Sequence, residues 1–110
     1  HAKRLTGEAG LPVGVWRAAV KGDAQAVTAW LDEGGGVDAG CAEYEGITLL
    51  MTATAEGHEA MVRMLLQRGA SVNLQDSDGI TALIRAACGS HTTIVQALLD
   101  AKADTSLQGI

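Results

Sequence analysis

The stretch EYEGITLLMTATAEGHEAMVRMLLQRGASVNLQ, residues 43–75, is followed directly by a worn copy of itself, DSDGITALIRAACGSHTTIVQALLDAKADTSLQ, residues 76–108. Gly46, Ile47, Thr48, Leu50, Ala53 and His58 recur as Gly79, Ile80, Thr81, Leu83, Ala86 and His91. Val62, Leu65, Leu66, Ala70, Leu74 and Gln75 recur as Val95, Leu98, Leu99, Ala103, Leu107 and Gln108. Twelve identities at a constant offset of 33, without a gap, make this a repeat array. A more degenerate copy lies upstream. At an offset of 35, Trp16 falls on Met51, Gly22 on Gly57, Trp30 and Leu31 on Leu65 and Leu66, and Val37 on Val72. The two extra residues fall in the loop GCAEYE, where an insertion costs little.

Each unit reads as two short helices and an extended turn. Thr48 and Thr81 are placed to cap a first helix over 49–55 or 82–88, the hydroxyl accepting from an orphan amide. Such a helix is too short to stand alone. Gly57, or Gly89-Ser90 in the next copy, breaks it. A second helix follows with Met61, Val62, Leu65 and Leu66 on a single apolar stripe, closed by Gly69 as a left-handed cap. No unit can cover its own stripe, so each must stack on its neighbour. The expected architecture is an all-α solenoid of stacked helix-turn-helix units with extended β-turn fingers. Residues 1–12 read as a tail or linker, 13–42 as a degenerate first unit, 43–75 and 76–108 as full units, and 109–110 as a truncated end.

These residues resemble the ankyrin repeat, whose pattern runs D-x-x-G-x-T-P-L-H-x-A-A-x-x-G-H and then V-x-x-L-L-x-x-G-A-x-V-N. The resemblance covers about residues 15–108. Pro12 is expected near the first helical position of the first copy. There are departures. The family's Pro and His of T-P-L-H are Leu49 and Met51 in one unit and Ala82 and Ile84 in the other, and Lys102 replaces the C-cap glycine. The resemblance implies binding of another protein through the turn tips and the concave surface of the first helices. By position, the tips present Tyr44, Glu45 and Ile47, then Ser77, Asp78 and Ile80. The helices present Arg17, Val20 and Lys21, then Thr52, Ala55 and Glu56, then Arg85, Cys88 and Gly89. Glu43, Glu45, Asp76 and Asp78 make both fingers acidic. With Tyr44, Ile47 and Ile80 exposed beside them, they would suit a partner segment carrying Lys or Arg next to an apolar anchor. The same acids can instead start the turns, as Asp does by bonding its own backbone.

Little else in the sequence suggests chemistry. A net charge of −5 leaves no basic patch for nucleic acid. No apolar run reaches membrane-spanning length. HAKRLTGEAGLP lacks the apolar region of a signal peptide. Cys41 and Cys88 are too few for a disulfide framework, which points to a reducing intracellular home, cytoplasmic or nuclear. His58 and His91 sit one repeat apart, about 10 Å, too far for one metal, and occupy structural positions. Cys88 and His91 form a Cys-x-x-His pair without the further ligands zinc needs. Cys41, in the inserted loop, is expected to be the accessible thiol and Cys88 half-buried. Neither GEAG nor DEGGGVD has a phosphate-loop context. Trp16 and Trp30 belong on helix stripes, in the core or capping the array. Asn73 reads as a turn-bracing residue, at a position similar to hydroxylation sites in ankyrin repeats.

No cofactor, metal or catalytic group is expected. The aromatic fraction is 3%, so the core must be aliphatic and alanine-rich. The stripe Ile94, Val95, Leu98 and Leu99, with Leu107 and Ile110 after it, is expected to lie uncovered, allowing self-association or indicating a longer parent chain. The reading is a non-catalytic protein-interaction module; the alternative is a regulatory or targeting segment of a larger enzyme or channel.

Overall fold

A computed structural model of the chain describes residues 10–101. The expectations placed on Lys102, Leu107, Ile110, the tail before Gly10 and residues 109–110 lie outside the described residues. Among the described residues six α-helices run in three pairs: α1 (Val13–Lys21) with α2 (Ala24–Asp32), α3 (Leu49–Ala55) with α4 (Glu59–Gln67), and α5 (Ala82–Cys88) with α6 (Thr92–Asp100). A two-residue β-ladder, β1 (Gly40–Cys41) with β2 (Ile47–Thr48), precedes α3 and encloses a 3₁₀ turn over Ala42–Tyr44. Helix α3 packs between α1 and α5, and α4 lies against α6, which is a stacked helix-pair solenoid.

The first helices start where the threonines are. Thr48 Oγ1 accepts from the Met51 amide and Thr81 Oγ1 from the Ile84 amide, each at 3.2 Å. Met51 Sδ accepts in turn from the Thr48 amide at 3.5 Å, which completes a reciprocal capping box at the start of α3. Ile84 has no such atom to offer. At α1 the expectation shifts by one residue: Pro12 is the N-cap, with Val13 the first helical residue.

The second helices show how one unit holds the next. His58 and His91 stand at the N-caps of α4 and α6 without capping them. Instead His58 Nε2 donates to the Val20 carbonyl at the end of α1, 2.8 Å away, and His91 Nε2 reaches toward Ala55 O at the end of α3, 3.4 Å away. The equivalent residue in the first pair is Asp23, which caps its own helix by accepting from the Ala26 amide. Gly22 and Gly57 make the clasp possible. Each has a positive φ, and a Cβ on either would lie under 3.0 Å from the ring of His58 or His91. Ser90, at φ 59, occupies the third such position.

The core is aliphatic, as the composition requires. Leu49, Leu65, Leu98, Val27, Val62, Met51 and Ile94 are all at most 2% exposed, and alanines 19, 53 and 86 lie at 0% where helices approach closely. Ile94 and Leu98 are therefore within the core rather than uncovered. Of the expected terminal stripe, Val95 is half-buried and Leu99 is 39% exposed. Trp30 is half-buried and lies over Gly35, where a Cβ would come within 2.4 Å of the indole. That close approach gives the middle glycine of GGG a packing reason.

Candidate protein-binding surface

Two fingers precede helices α3 and α5, and they are built differently. The first is a backbone hairpin. Gly40 pairs with Thr48 and Cys41 with Ile47, and the Gly46 amide donates to Cys41 O at 2.9 Å. The Leu11 amide donates to Gly40 O at 3.0 Å and so ties the hairpin to the start of α1. Between the strands the chain turns through Ala42–Tyr44 and Glu45, which adopts a left-handed φ of 61. The Tyr44 ring stacks on Trp16 from α1, centroids 4.1 Å apart and planes 18° from parallel. The two inserted residues thus belong to a closed hairpin rather than a loose loop.

Cys41 is consequently inaccessible, at 0% exposure, and Cys88 is the exposed thiol. This reverses the expectation, because the β-ladder turns Cys41 toward the core. Burial pushes the Cys41 thiol up, and its Sγ donates to Glu43 Oε1 at 3.6 Å.

The second finger is built around one carboxylate. Asp76 is 8% exposed, and its Oδ1 accepts from the amides of Asp78 at 2.8 Å and Ile80 at 3.0 Å. Its Oδ2 meets Arg85 Nη2 from α5 at 2.5 Å. Burial works against the charged form, but the Ile80 and Asp78 amides and the Arg85 guanidinium outweigh it, and the carboxyl lies below its ordinary value. Of the two readings for Asp76, turn-starting is the one its bonds display. The second finger is joined to the first through Ser77, whose amide and hydroxyl both donate to Glu45 O, each at 2.9 Å.

The residues singled out from the sequence are placed as follows. Tyr44 is 41% exposed, and Glu45, Ser77 and Asp78 are exposed. Ile47 and Ile80 are half-buried, not free, because the ladder and the Asp76 turn hold them. Glu56, at the end of α3, and Cys88, at the end of α5, are exposed, with Arg17, Lys21, Ala55 and Gly89. Thr52 is buried at 2%, its hydroxyl donating to Thr48 O at 2.9 Å, so it leaves the surface that position implied. Arg85 is half-buried and engaged by Asp76. Trp16 entered the sequence reading only as a core or cap residue. The local signal for its role was thin: a large aromatic where the full units have Met51 and Ile84.

Three residue pairs tie neighbouring units together through four bonds: Ser71 to Asp38 through both amide (2.8 Å) and hydroxyl (2.7 Å), Arg68 to Asp32 at 2.9 Å, and Thr93 to Glu59 at 2.9 Å. Among the described residues no group of three or more His, Cys, Asp or Glu side chains could hold a metal, and no helix is long and apolar enough to cross a membrane.

A family model of ankyrin repeats, three copies, matches residues 15–108. The chain belongs to the ankyrin repeat family. Rat ankyrin repeat and SAM domain-containing protein 6 is 38% identical over 72 residues, which is 66% of this chain and 8% of that protein. The match thus spans a small part of the relative's length. Ankyrin repeats are in general protein–protein interaction modules, and the helix pairs and fingers described above are the ankyrin architecture in this chain.

Proposed function

We propose that this ankyrin array is a non-catalytic module that grips a partner polypeptide through its two finger tips and the exposed ends of its first helices. Tyr44, Glu45, Ser77 and Asp78 form the tips, with Ile47 and Ile80 as half-buried apolar supports. Glu56 and Cys88 extend the surface along the helix ends, with Arg85 held at its edge by Asp76. The observation that carries this reading is the bond between fingers. Ser77 locks onto the Glu45 carbonyl, so two acidic tips from neighbouring units present one surface with little ordering left to do on binding. The acidity suits a partner segment with a basic residue beside an apolar one.

The test is affinity capture with the wild type and a Tyr44→Ala plus Asp78→Lys variant. The expected result is loss of specific partners from the variant; an unchanged set would remove the fingers from the interface.

A second reading has the array acting as the recognition segment of a larger polypeptide, consistent with its matching only 8% of the rat relative. Sequencing the complete reading frame separates the two. Self-association through the last unit would use exposed Leu99 beside half-buried Val95. Sedimentation of wild type against Leu99→Gln tests it: a concentration-dependent mass in the wild type alone supports the contact.

A further inference from the structure

The chain has two tryptophans, one tyrosine and no phenylalanine, in a core that is otherwise aliphatic. Two of those three aromatics, from different units, stack on each other, and the outer ring, Tyr44, is left 41% exposed. Trp16 beneath it packs against the core, so the Tyr44 ring rests on a fixed base. Glu43 and Glu45 flank Tyr44 in the same turn, and both are exposed. Neither is loose at its root. Glu43 accepts from the Cys41 thiol at 3.6 Å, and the Glu45 carbonyl is held by Ser77. Residues 40–48 contain no Lys or Arg that would neutralise these acids within the finger.

We propose that the open face of Tyr44 receives an arginine side chain of the partner, its guanidinium plane lying on the ring and its N–H edges donating to Glu43 and Glu45. This rests on the reading that the fingers bind a polypeptide, and adds which side chain they select. A single flat ring distinguishes the two basic residues. Guanidinium is planar and weakly hydrated, so it stacks on one aromatic face while its edges still donate in plane. Ammonium is compact and strongly hydrated, and gains most where several rings enclose it. Here one ring is offered, so arginine is favoured. The Trp16 base holds the ring in place before binding, which lowers the ordering cost.

The test is an NMR titration of the whole chain with three soluble peptides that differ at one position: Gly-Ser-Leu-Arg-Ser-Gly and its lysine and citrulline counterparts. The arginine peptide is expected to shift the Tyr44 ring and Glu45 amide signals saturably. The lysine peptide should bind about two- to fivefold more weakly, the size of an exposed cation–π contact. Citrulline, with the same shape and no charge, should be weaker still. Tyr44→Phe should keep the preference, Tyr44→Ala should erase it, and Glu45→Gln should flatten the salt dependence. Amide dispersion of each variant confirms that it is folded. Equal binding of arginine and lysine, or no movement at Tyr44, would overturn the proposal. If finger substitutions abolish partner capture yet the peptides ignore Tyr44, the arginine assignment alone fails. If the peptides dock on Tyr44 but capture is indifferent to the fingers, the interaction reading fails and the platform stands.

Discussion

The two fingers carry nearly the same words, EYEGIT and DSDGIT, and reach the same position by opposite means. The first is held by uncharged contacts: a short β-ladder, a buried thiol and a stack of two aromatic rings. The second is held by one buried carboxylate that accepts from two amides and a guanidinium. The difference comes from the third residue before the shared glycine. At Glu43 the side chain stays exposed and reaches back to the Cys41 thiol; at Asp76 it is short enough to bond the amides two and four residues on. A finger can therefore be closed by burial of neutral groups or by a buried charge with partners, and the two should fail under different conditions.

The largest test of that contrast is Asp76→Ala. It leaves the Ile80 and Asp78 amides and a half-buried Arg85 without their acceptor, and should cost roughly 2–4 kcal/mol in urea unfolding. Tyr44→Ala removes a stacking contact from the first finger and should cost no more than about 1.5 kcal/mol. Equal losses from the two variants would mean the fingers are not distinct in kind.

Next comes pH. The folded Asp76 carboxyl lies below its ordinary value, so its stabilisation is complete above the unfolded aspartate pKa and is lost as pH falls through the folded one. The Cys41 thiol lies above its ordinary value, so its contribution is complete below the unfolded thiol pKa and is lost as pH rises through the folded one. Amide hydrogen exchange should show the second finger opening first in acid and the first finger opening in alkali, with Asp76→Asn removing the Asp76 part of the acid response. A single transition affecting both fingers together at both extremes would contradict this.

A smaller, kinetic difference should appear between the thiols. Cys88 is exposed and Cys41 is at 0%, so a thiol reagent at neutral pH should label Cys88 at once and Cys41 only as the first finger opens. Labelling of both at one rate would show that the hairpin is not closed. The smallest effect is a gain. Glu45→Gly relieves a non-glycine residue at φ 61 and should raise stability by roughly 0.5–1 kcal/mol, measured by thermal unfolding. A loss would mean the Glu45 side chain supports the finger.

The helices were legible because their signals are local. The bounds 49–55 and 82–88 follow from Thr48 and Thr81 at one end and the glycines at the other, and the apolar stripe of α4 from the spacing of Met61, Val62 and Leu65. The turn-starting role of Asp76 was open to the same kind of reasoning, since its amide donors are two and four residues away. The candidate surface was legible only in outline. Family position put Thr52 on the concave face, but a β-branched hydroxyl can bond the carbonyl four residues back and be buried. Position also offered Arg85 to a partner, whereas Asp76 nine residues earlier claims it, a separation no helical or turn rule connects.

What the sequence determined by itself was the repeat and its consequences: paired helices, their caps, and stacking forced because each unit exposes an apolar stripe it cannot cover. That much is fixed by periodicity and by hydrogen bonds spanning a few residues. The tertiary structure alone decided which groups from different units meet: His58 on Val20, Tyr44 on Trp16, Ser77 on Glu45, and Cys41 turned inward. These contacts join residues about 28 to 38 positions apart or depend on how a two-residue ladder twists. Their geometry is set by how closely neighbouring units pack, and no local pattern encodes that distance.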